Sequence, residues 1–346
     1  MRRRRTGRLL IGVTASLVAA VVVVAGLLSF AAGRRVTEPA APHMSAEASS
    51  TAATRPTTPT AEATASAEAT AAAVESTTAP SGPSLDAYRG LATWVDIYDE
   101  RAWNDPAAAV SDMVSHGVRT LFIETGNSGA ATAIFKPEAL QTFIRETHAH
   151  GMRVVAWYLP DLRRSSVDYD RVAQAIAYRT ADGQRFDSFA LDIESGAVQP
   201  VSARNQALEE LSLKIRGLAG PAYPLGAIIP SPVGLSRKGS YWGAFPYEML
   251  ARTYDVFVPM SYYTYHGKGG PAAYADTLAN VRILRAQPAC ATTPVHLIGG
   301  IAEKSSPYEV ATFVRAARET GSIGAGLYGW TGTAPRHWQE LKAITP

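Results

Sequence analysis

The chain is poor in the residues that build covalent cross-links and metal centres. Its 346 residues include one cysteine, Cys290, which excludes an intramolecular disulfide and is expected to be a small buried apolar side chain. The seven histidines are scattered, and no spacing of potential ligands predicts a metal site. No glycine-rich phosphate loop follows the first predicted strand, which disfavours an open nucleotide-binding sheet. We therefore expect no metal and no cofactor.

Acidic residues are absent from the first 35 positions, although the chain contains 30 of them. The same stretch holds seven of the 33 basic residues, so the net charge of +3 becomes −4 for the rest of the chain. A slightly acidic remainder gives no electrostatic reason to expect a nucleic-acid partner.

Residues 1–35 have the pattern of a membrane anchor. Five arginines precede the uncharged apolar run Leu9–Ala32, and two follow it. At about 1.5 Å per residue, a helix of this length spans a bilayer with some tilt. Because more positive charge precedes the run, the amino end is expected in the cytoplasm and the carboxyl end outside the cell. A cleaved signal peptide ending near Ser29–Ala31 is the alternative, although the apolar run exceeds the usual signal core of about 7–15 residues.

Residues 36–85 consist almost entirely of Ala, Thr, Ser, Pro and Glu. With so few large apolar side chains, this segment cannot offset the entropy of ordering and is predicted to be a disordered linker. The predicted protein is thus a single-pass membrane protein with an extracellular domain, or a secreted domain if the anchor is cleaved.

Residues 86–346 alternate short apolar runs with helical patterns, which predicts a single (β/α)8 TIM barrel, expected to be monomeric. The apolar runs are continuous, as strands buried on both faces require. The predicted strands are Leu91–Ile97, Arg119–Ile123, Arg153–Leu159, Ser188–Ile193, Tyr223–Ile229, Val256–Tyr262, Val295–Gly299 and Gly324–Trp330. The predicted helices cover residues 105–116, 137–150, 168–181, 202–218, 246–253, 271–286, 307–320 and 335–343.

In this fold the chemistry lies where the strands end, and carboxylates and aromatic rings dominate those positions here. Asp192 lies at the end of the fourth predicted strand and Glu194 just beyond it, and because they are two residues apart both are expected to face inward. Two carboxylates this close do not ionise independently, and one pKa should be raised. A carboxylic acid that stays protonated near neutral pH can donate its proton to a glycosidic oxygen.

Three segments resemble motifs of the family 18 glycoside hydrolases, which are chitinase-like enzymes. Asp187–Glu194 resembles the fourth-strand pattern that ends in Asp-x-Asp-x-Glu. Pro259–Tyr262 resembles the sixth-strand Met-x-Tyr, and Gly326–Trp330 resembles the eighth strand, which ends in a tryptophan. One departure is Ala190, which stands where the family has the first Asp of its triplet. A weaker resemblance to family 25 lysozyme-like muramidases rests on the Asp-x-Glu after an apolar strand, whereas Ala92–Asp96 matches the first-strand pattern of that family less well.

The resemblance implies that Glu194 is the general acid. It also implies that Asp192 orients the 2-acetamido group of the substrate, which serves as the nucleophile, and that Tyr262 donates to the acetamido oxygen. Trp330 would pack under the sugar. Further substrate-binding candidates at the strand ends are Met260, Asp96, Glu124, Tyr158 and Tyr263.

Two functions from different classes are consistent with this pattern. The first is a surface-tethered hydrolase of a β-linked N-acetylhexosamine polysaccharide, either chitin-like or the glycan of peptidoglycan. The second is a non-catalytic barrel that binds such a polysaccharide, and Ala190 is the feature that favours it. A third possibility is a glycosidase that uses two enzyme carboxylates, with Glu124 or Glu303 as the second.

Overall fold

A computed structural model describes residues 82–345. The predicted anchor and most of the predicted linker lie outside these residues. Within residues 82–345, no helix is both long enough and apolar enough to cross a membrane.

Eight parallel strands form a closed barrel in which each strand pairs with its sequence neighbours and β1 pairs with β8. The strands are β1 Gly90–Val95, β2 Thr120–Asn127, β3 Arg153–Leu159, β4 Ser188–Asp192, β5 Leu225–Pro230, β6 Val256–Met260, β7 His296–Ile301 and β8 Gly324–Tyr328. All eight predicted strands are therefore present, and the predicted single α/β barrel is confirmed.

Helices connect the strands on the outside of the barrel. They are α1 Glu100–Asn104, α2 Pro106–Ser115, α3 Pro137–Ala149, α4 Ser165–Ala177, α5 Val201–Ala219, α6 Pro232–Leu235, α7 Tyr247–Thr253, α8 Gly270–Arg285, α9 Pro307–Glu319 and α10 Pro335–Leu341. Several begin at the signals seen in the sequence. In α9, for example, the Ser306 hydroxyl accepts from Glu309 N, and the Glu309 carboxylate accepts from Ser306 N.

Side chains alternate between two buried layers because successive residues of a strand point to opposite faces. Odd-numbered positions of β4, such as Phe189 and Leu191, pack outward against the helices. The barrel interior is filled from the other face of each strand, by Ala92, Trp94, Phe122, Val155, Trp157, Ala190, Ile228, Val256, Val258, Met260 and Ile298. Cys290 is buried and unpaired, as expected.

Tyr88 closes the amino-terminal end of the barrel from the short 3-10 turn Asp86–Tyr88. Its hydroxyl lies 2.6 Å from Ser188 Oγ, and its carbonyl accepts a 2.8 Å hydrogen bond from His296 Nδ1. A Cβ at Gly226 would lie 2.5 Å from the Tyr88 hydroxyl oxygen, so only glycine permits this close approach. Since this end is filled, the opposite end is the place for a ligand.

Candidate active site

The carboxyl ends of the strands bring a group of acids and phenols to one mouth of the barrel. Asp96 follows β1, Glu124 lies near the end of β2, and Asp192 ends β4. Tyr262 follows β6 and Tyr328 ends β8. Each continues the inward-facing set of its strand, so these side chains converge although they come from distant parts of the sequence.

Both carboxylate oxygens of Glu124 accept hydrogen bonds from the protein. It is 2% exposed. Its Oε2 accepts from Ile97 N at 2.9 Å, and its Oε1 accepts from the Asn127 side chain at 3.0 Å. Burial raises the pKa of Glu124 to about 8, and the nearby charges of Asp96 and Glu194 add to the rise, whereas the two hydrogen bonds oppose it. Glu124 is therefore mostly protonated at neutral pH.

Asp96 is half-buried and bridges two elements of the mouth. Its Oδ1 accepts from Tyr98 N at 2.9 Å, and its Oδ2 accepts from the Tyr328 hydroxyl at 2.8 Å. Burial raises the pKa of Asp96, although both hydrogen bonds favour the carboxylate form. This acid thus depends on Tyr328 for part of its charge stabilisation.

Asp192 and Glu194 sit at different depths. Asp192 is 6% exposed, and its Oδ1 has no hydrogen-bond partner among the described residues. Burial raises the pKa of Asp192 well above its usual value, and the charges of Glu194 and Glu124 raise it further. Glu194 is only half-buried, and burial raises its pKa to about 6. The outer acid can therefore exchange a proton near neutral pH, while burial and the neighbouring acids favour the neutral form of the inner one.

Tyr262 lies beside this acid pair. The residue adopts a left-handed backbone conformation with φ of 42°, which is uncommon for a bulky side chain. Burial raises the pKa of Tyr262 well above its usual value, and the Glu194 and Asp192 charges contribute next. The phenol therefore remains a proton donor beside the two acids.

Aromatic rings continue from Tyr262 across the mouth. The ring centroids of Tyr262 and Tyr328 are 6.2 Å apart, and Tyr265 packs against Tyr262 from the other side at 6.1 Å. Tyr98 and Tyr265 are among the exposed large hydrophobic side chains of residues 82–345, at 52% and 46%. A carbohydrate ring entering the mouth would therefore meet aromatic faces next to the acids.

Met260 ends β6 and belongs to the apolar cluster inside the barrel, where it is 5% exposed. It lies with Trp157 and Ala190 in the layer that forms the floor beneath the acids. This substrate-binding candidate therefore lies inside the barrel.

Trp330 does not join the group, which corrects the expectation that it packs under the sugar. Strand β8 ends at Tyr328, and the chain beyond it no longer alternates between the two faces. The indole of Trp330 lies in the outer layer, donates a 2.9 Å hydrogen bond to Asp112 of α2, and is covered by the Arg101 guanidinium at 4.9 Å. The ring that lies at the mouth on this strand belongs to Tyr328.

Tyr158 and Tyr263 also point away from the mouth, so their proposed substrate contacts are corrected as well. On β3 the inward position belongs to Trp157, and the Tyr158 hydroxyl donates to Asp168 of α4 at 2.6 Å. The Tyr263 hydroxyl lies 3.0 Å from Ser305 Oγ, and its ring packs on Phe313 of α9. Both tyrosines belong to the outer packing layer.

Three residues that the sequence patterns did not indicate complete the site. Strand alternation counted back from the end of β8 would have identified Tyr328. Asn127, which holds Glu124, lies three residues beyond it on β2. Tyr241, whose hydroxyl donates to the Glu194 carbonyl at 3.1 Å, lies in a loop, where no periodic pattern exists. Within residues 82–345, no cluster of three or more His, Cys, Asp or Glu side chains could hold a metal ion.

Solved structures resemble the barrel. They include an endo-1,4-beta-D-mannanase from Thermotoga petrophila (TM-score 0.54, 11% identity, covering 70% of this chain and 88% of that one). A class V chitinase from the plant Cycas revoluta, solved as a mutant with (GlcNAc)3, gives a TM-score of 0.55 at 12% identity and covers 73% of this chain and 98% of that one. The PgaB glycoside hydrolase domain from Bordetella bronchiseptica gives 0.51 at 12% identity, covering 74% and 99%.

No protein-family model and no curated protein matches the chain. At these identities the structural similarities show the fold alone: the chain shares the TIM barrel of solved glycoside hydrolases.

Proposed function

We propose that the protein is a glycoside hydrolase that cleaves a β-linked N-acetylhexosamine polysaccharide, either chitin-like or the glycan strand of peptidoglycan. The observation that carries this proposal is the convergence of Asp192, Glu194 and Tyr262 at the carboxyl ends of the strands, in a barrel whose other end is filled. Glycoside hydrolases with the same fold support the reaction class, and the (GlcNAc)3 complex of the plant chitinase supports the sugar type.

In the proposed reaction Glu194 donates its proton to the glycosidic oxygen as the bond from that oxygen to C1 breaks. The acetamido oxygen of the same sugar attacks C1, so the sugar itself is the nucleophile. Glu194, now a carboxylate, then takes a proton from a water molecule that attacks C1. The bond between C1 and the acetamido oxygen breaks in this step, which regenerates the acetamido group and leaves C1 with its original configuration. A pKa of about 6 for Glu194 suits both proton transfers.

Asp192 and Tyr262 hold the acetamido group in this mechanism. The inner acid orients the amide N–H, and the Tyr262 hydroxyl donates to the amide oxygen. Asp192 Oδ1 has no partner among the described residues, so a substrate amide could supply one after a modest opening of the mouth. Tyr328 takes the place beneath the sugar that the sequence assigned to Trp330.

The test compares Glu194→Gln with Glu248→Gln in the full chain, using chitooligosaccharides and purified peptidoglycan. Glu248 is an exposed helix residue paired with Arg252, so its substitution controls for the loss of one negative charge. We expect wild type and Glu248→Gln to release reducing ends, and Glu194→Gln to lose about 10²-fold or more in rate. Equal rates in all three proteins would contradict the assignment of Glu194 as the acid.

A non-catalytic polysaccharide-binding barrel is the second candidate, and Ala190 favours it. This residue is fully buried beside Trp157 in the barrel interior, so position 190 supplies no acid that would share a proton with Asp192. Saccharide binding by both wild type and Glu194→Gln, with no turnover by either, would support this candidate.

A two-carboxylate glycosidase remains the third candidate, with Glu124 as the second acid. Glu124 lies within the site, whereas Glu303 is exposed on a 3-10 turn after β7. Complete loss of turnover in Glu124→Gln, with the fold intact, would favour this mechanism over the substrate-assisted one.

We further propose that residues 1–35 anchor the protein in the cell membrane and that residues 36–85 tether the barrel outside. By a flexible-coil relation of about 5–6 Å times the square root of the residue number, this linker reaches roughly 40 Å. The barrel would then act on a polymer of the cell's own envelope. Protease treatment of intact cells should release a fragment close in size to residues 86–346.

A further inference from the structure

Arg204, on the first turn of α5, is completely buried. No carboxylate of residues 82–345 forms an ion pair with it. A buried charge of this kind is costly unless hydrogen bonds compensate it. All of its hydrogen-bond acceptors are backbone carbonyls, and they belong to two loops of the barrel mouth.

The first loop follows β4 and carries Glu194. Arg204 Nε donates to Val198 O at 3.0 Å, and Nη2 donates to Gly196 O at 3.1 Å. The last backbone bond from this segment to the sheet is Ile193 N to Ile228 O at 2.8 Å. Glu194 therefore lies just beyond the sheet, in a loop whose backbone is held by hydrogen bonds from Arg204.

The second loop follows β5 and carries Tyr241. Arg204 Nη1 donates to Tyr241 O at 3.0 Å, and the Tyr241 hydroxyl donates to the Glu194 carbonyl at 3.1 Å. A Cβ at Gly196 would lie 3.5 Å from the Tyr241 ring and 3.8 Å from Arg204 Nη2, so the two loops and the arginine are in close contact. The guanidinium also lies 4.7 Å from the Trp242 ring centroid.

We propose that Arg204 and Tyr241 are positioning residues that hold the Glu194 loop in the orientation required for proton transfer. This inference rests on the proposed function. A general acid must be held within about 0.5 Å of its working position, and a loop residue lacks the support that a strand gives. The planar fork of arginine binds several carbonyls at fixed angles, whereas a lysine ammonium cannot reproduce that geometry.

The experiment compares two pairs of variants in the full chain. Arg204→Lys is matched by Arg216→Lys, because Arg216 lies on the same helix and also donates to backbone carbonyls, but those belong to the opposite end of the barrel. Tyr241→Phe is matched by Tyr223→Phe, which removes another hydroxyl that donates to a carbonyl, that of Phe186. Each variant is assayed on chitooligosaccharides, and amide hydrogen exchange is measured over residues 194–198.

We expect faster amide exchange at residues 194–198 in both Arg204→Lys and Tyr241→Phe, and wild-type exchange there in the two controls. We expect kcat to fall about tenfold or more in Arg204→Lys and severalfold in Tyr241→Phe, with little change in KM. The alkaline limb of the pH profile should also move to lower pH, because a loosened Glu194 gains solvation and becomes a stronger acid.

Unchanged exchange at residues 194–198 in both test variants would overturn the proposal, as would faster exchange with an unchanged kcat. If Arg204→Lys does not fold, Tyr241→Phe decides the matter. Absence of turnover by the wild type would instead overturn the proposed hydrolase activity, and the exchange measurement would still decide whether Arg204 holds this loop.

Discussion

The Tyr328 hydroxyl donates a 2.8 Å hydrogen bond to Asp96 Oδ2, joining the last strand of the barrel to the first at the mouth of the site. The same ring lies 6.2 Å from that of Tyr262, which follows β6. Tyr328 thereby links an acid to the phenol beside the Asp192–Glu194 pair.

This placement predicts different outcomes at Tyr328 and Trp330. Tyr328→Ala should weaken oligosaccharide binding about tenfold or more because it removes an aromatic face, while Tyr328→Phe should retain most of the affinity. Trp330→Phe should destabilise the fold by about 1–3 kcal/mol, through the lost hydrogen bond to Asp112 and lost packing, and leave affinity unchanged. Calorimetric titration and thermal unfolding measure the two effects. Loss of affinity in Trp330→Phe alone would contradict this placement.

The raised pKa of Glu194 predicts the pH dependence of turnover. A general acid must be protonated in the free enzyme, and burial places the pKa of Glu194 at about 6. We expect kcat/KM to fall about tenfold per pH unit above that value. Initial rates on a chitooligosaccharide between pH 4 and 9 provide the measurement. A rate that holds constant to pH 9 would exclude Glu194 as the proton donor.

The raised pKa of Glu124 predicts that the stability of the fold depends on pH. Its pKa is about 8 in the folded protein, above the usual 4.5, so the folded state binds the proton more tightly than the unfolded chain does. Its contribution to stability is fully present below about pH 4.5 and is lost as the pH rises toward 8, with a slope of at most about 1.4 kcal/mol per pH unit. In Glu124→Gln this component disappears. Tm measured from pH 5 to 8 should therefore decline less in the variant than in the wild type, and parallel declines would contradict the buried, protonated state.

Tyr158 and Tyr262 form a matched pair for separating structure from function. Tyr158→Phe leaves the buried Asp168 without one of its donors, which should cost about 1–3 kcal/mol of stability and leave kcat/KM unchanged. Tyr262→Phe removes a hydroxyl at the site and should lower kcat/KM about tenfold or more with little change in Tm. Denaturant unfolding combined with steady-state rates tests both. A catalytic defect in Tyr158→Phe with normal stability would place that residue in the site after all.

Much of the barrel could be predicted because its signals are local. Eight apolar runs separated by helical patterns are enough to indicate a closed parallel barrel, and alternation along β4 places Asp192 on the inward face. The inward positions of Met260 and Tyr262 follow from the same periodicity on β6. The prediction that Tyr158 contacts the substrate is wrong, because Trp157 holds the inward position on β3.

Local sequence patterns are enough to predict the barrel, the faces of its strands and the inward position of Asp192, because alternation and burial repeat every two residues. The folded structure was needed to show that Tyr328 rather than Trp330 lies at the mouth, that Glu124 lies among the acids, and that Arg204 donates to the loop that carries Glu194. These positions depend on where each strand ends and on how each loop folds back onto the barrel, and long-range contacts set both. Long-range contacts of this kind produce no periodic pattern in the sequence.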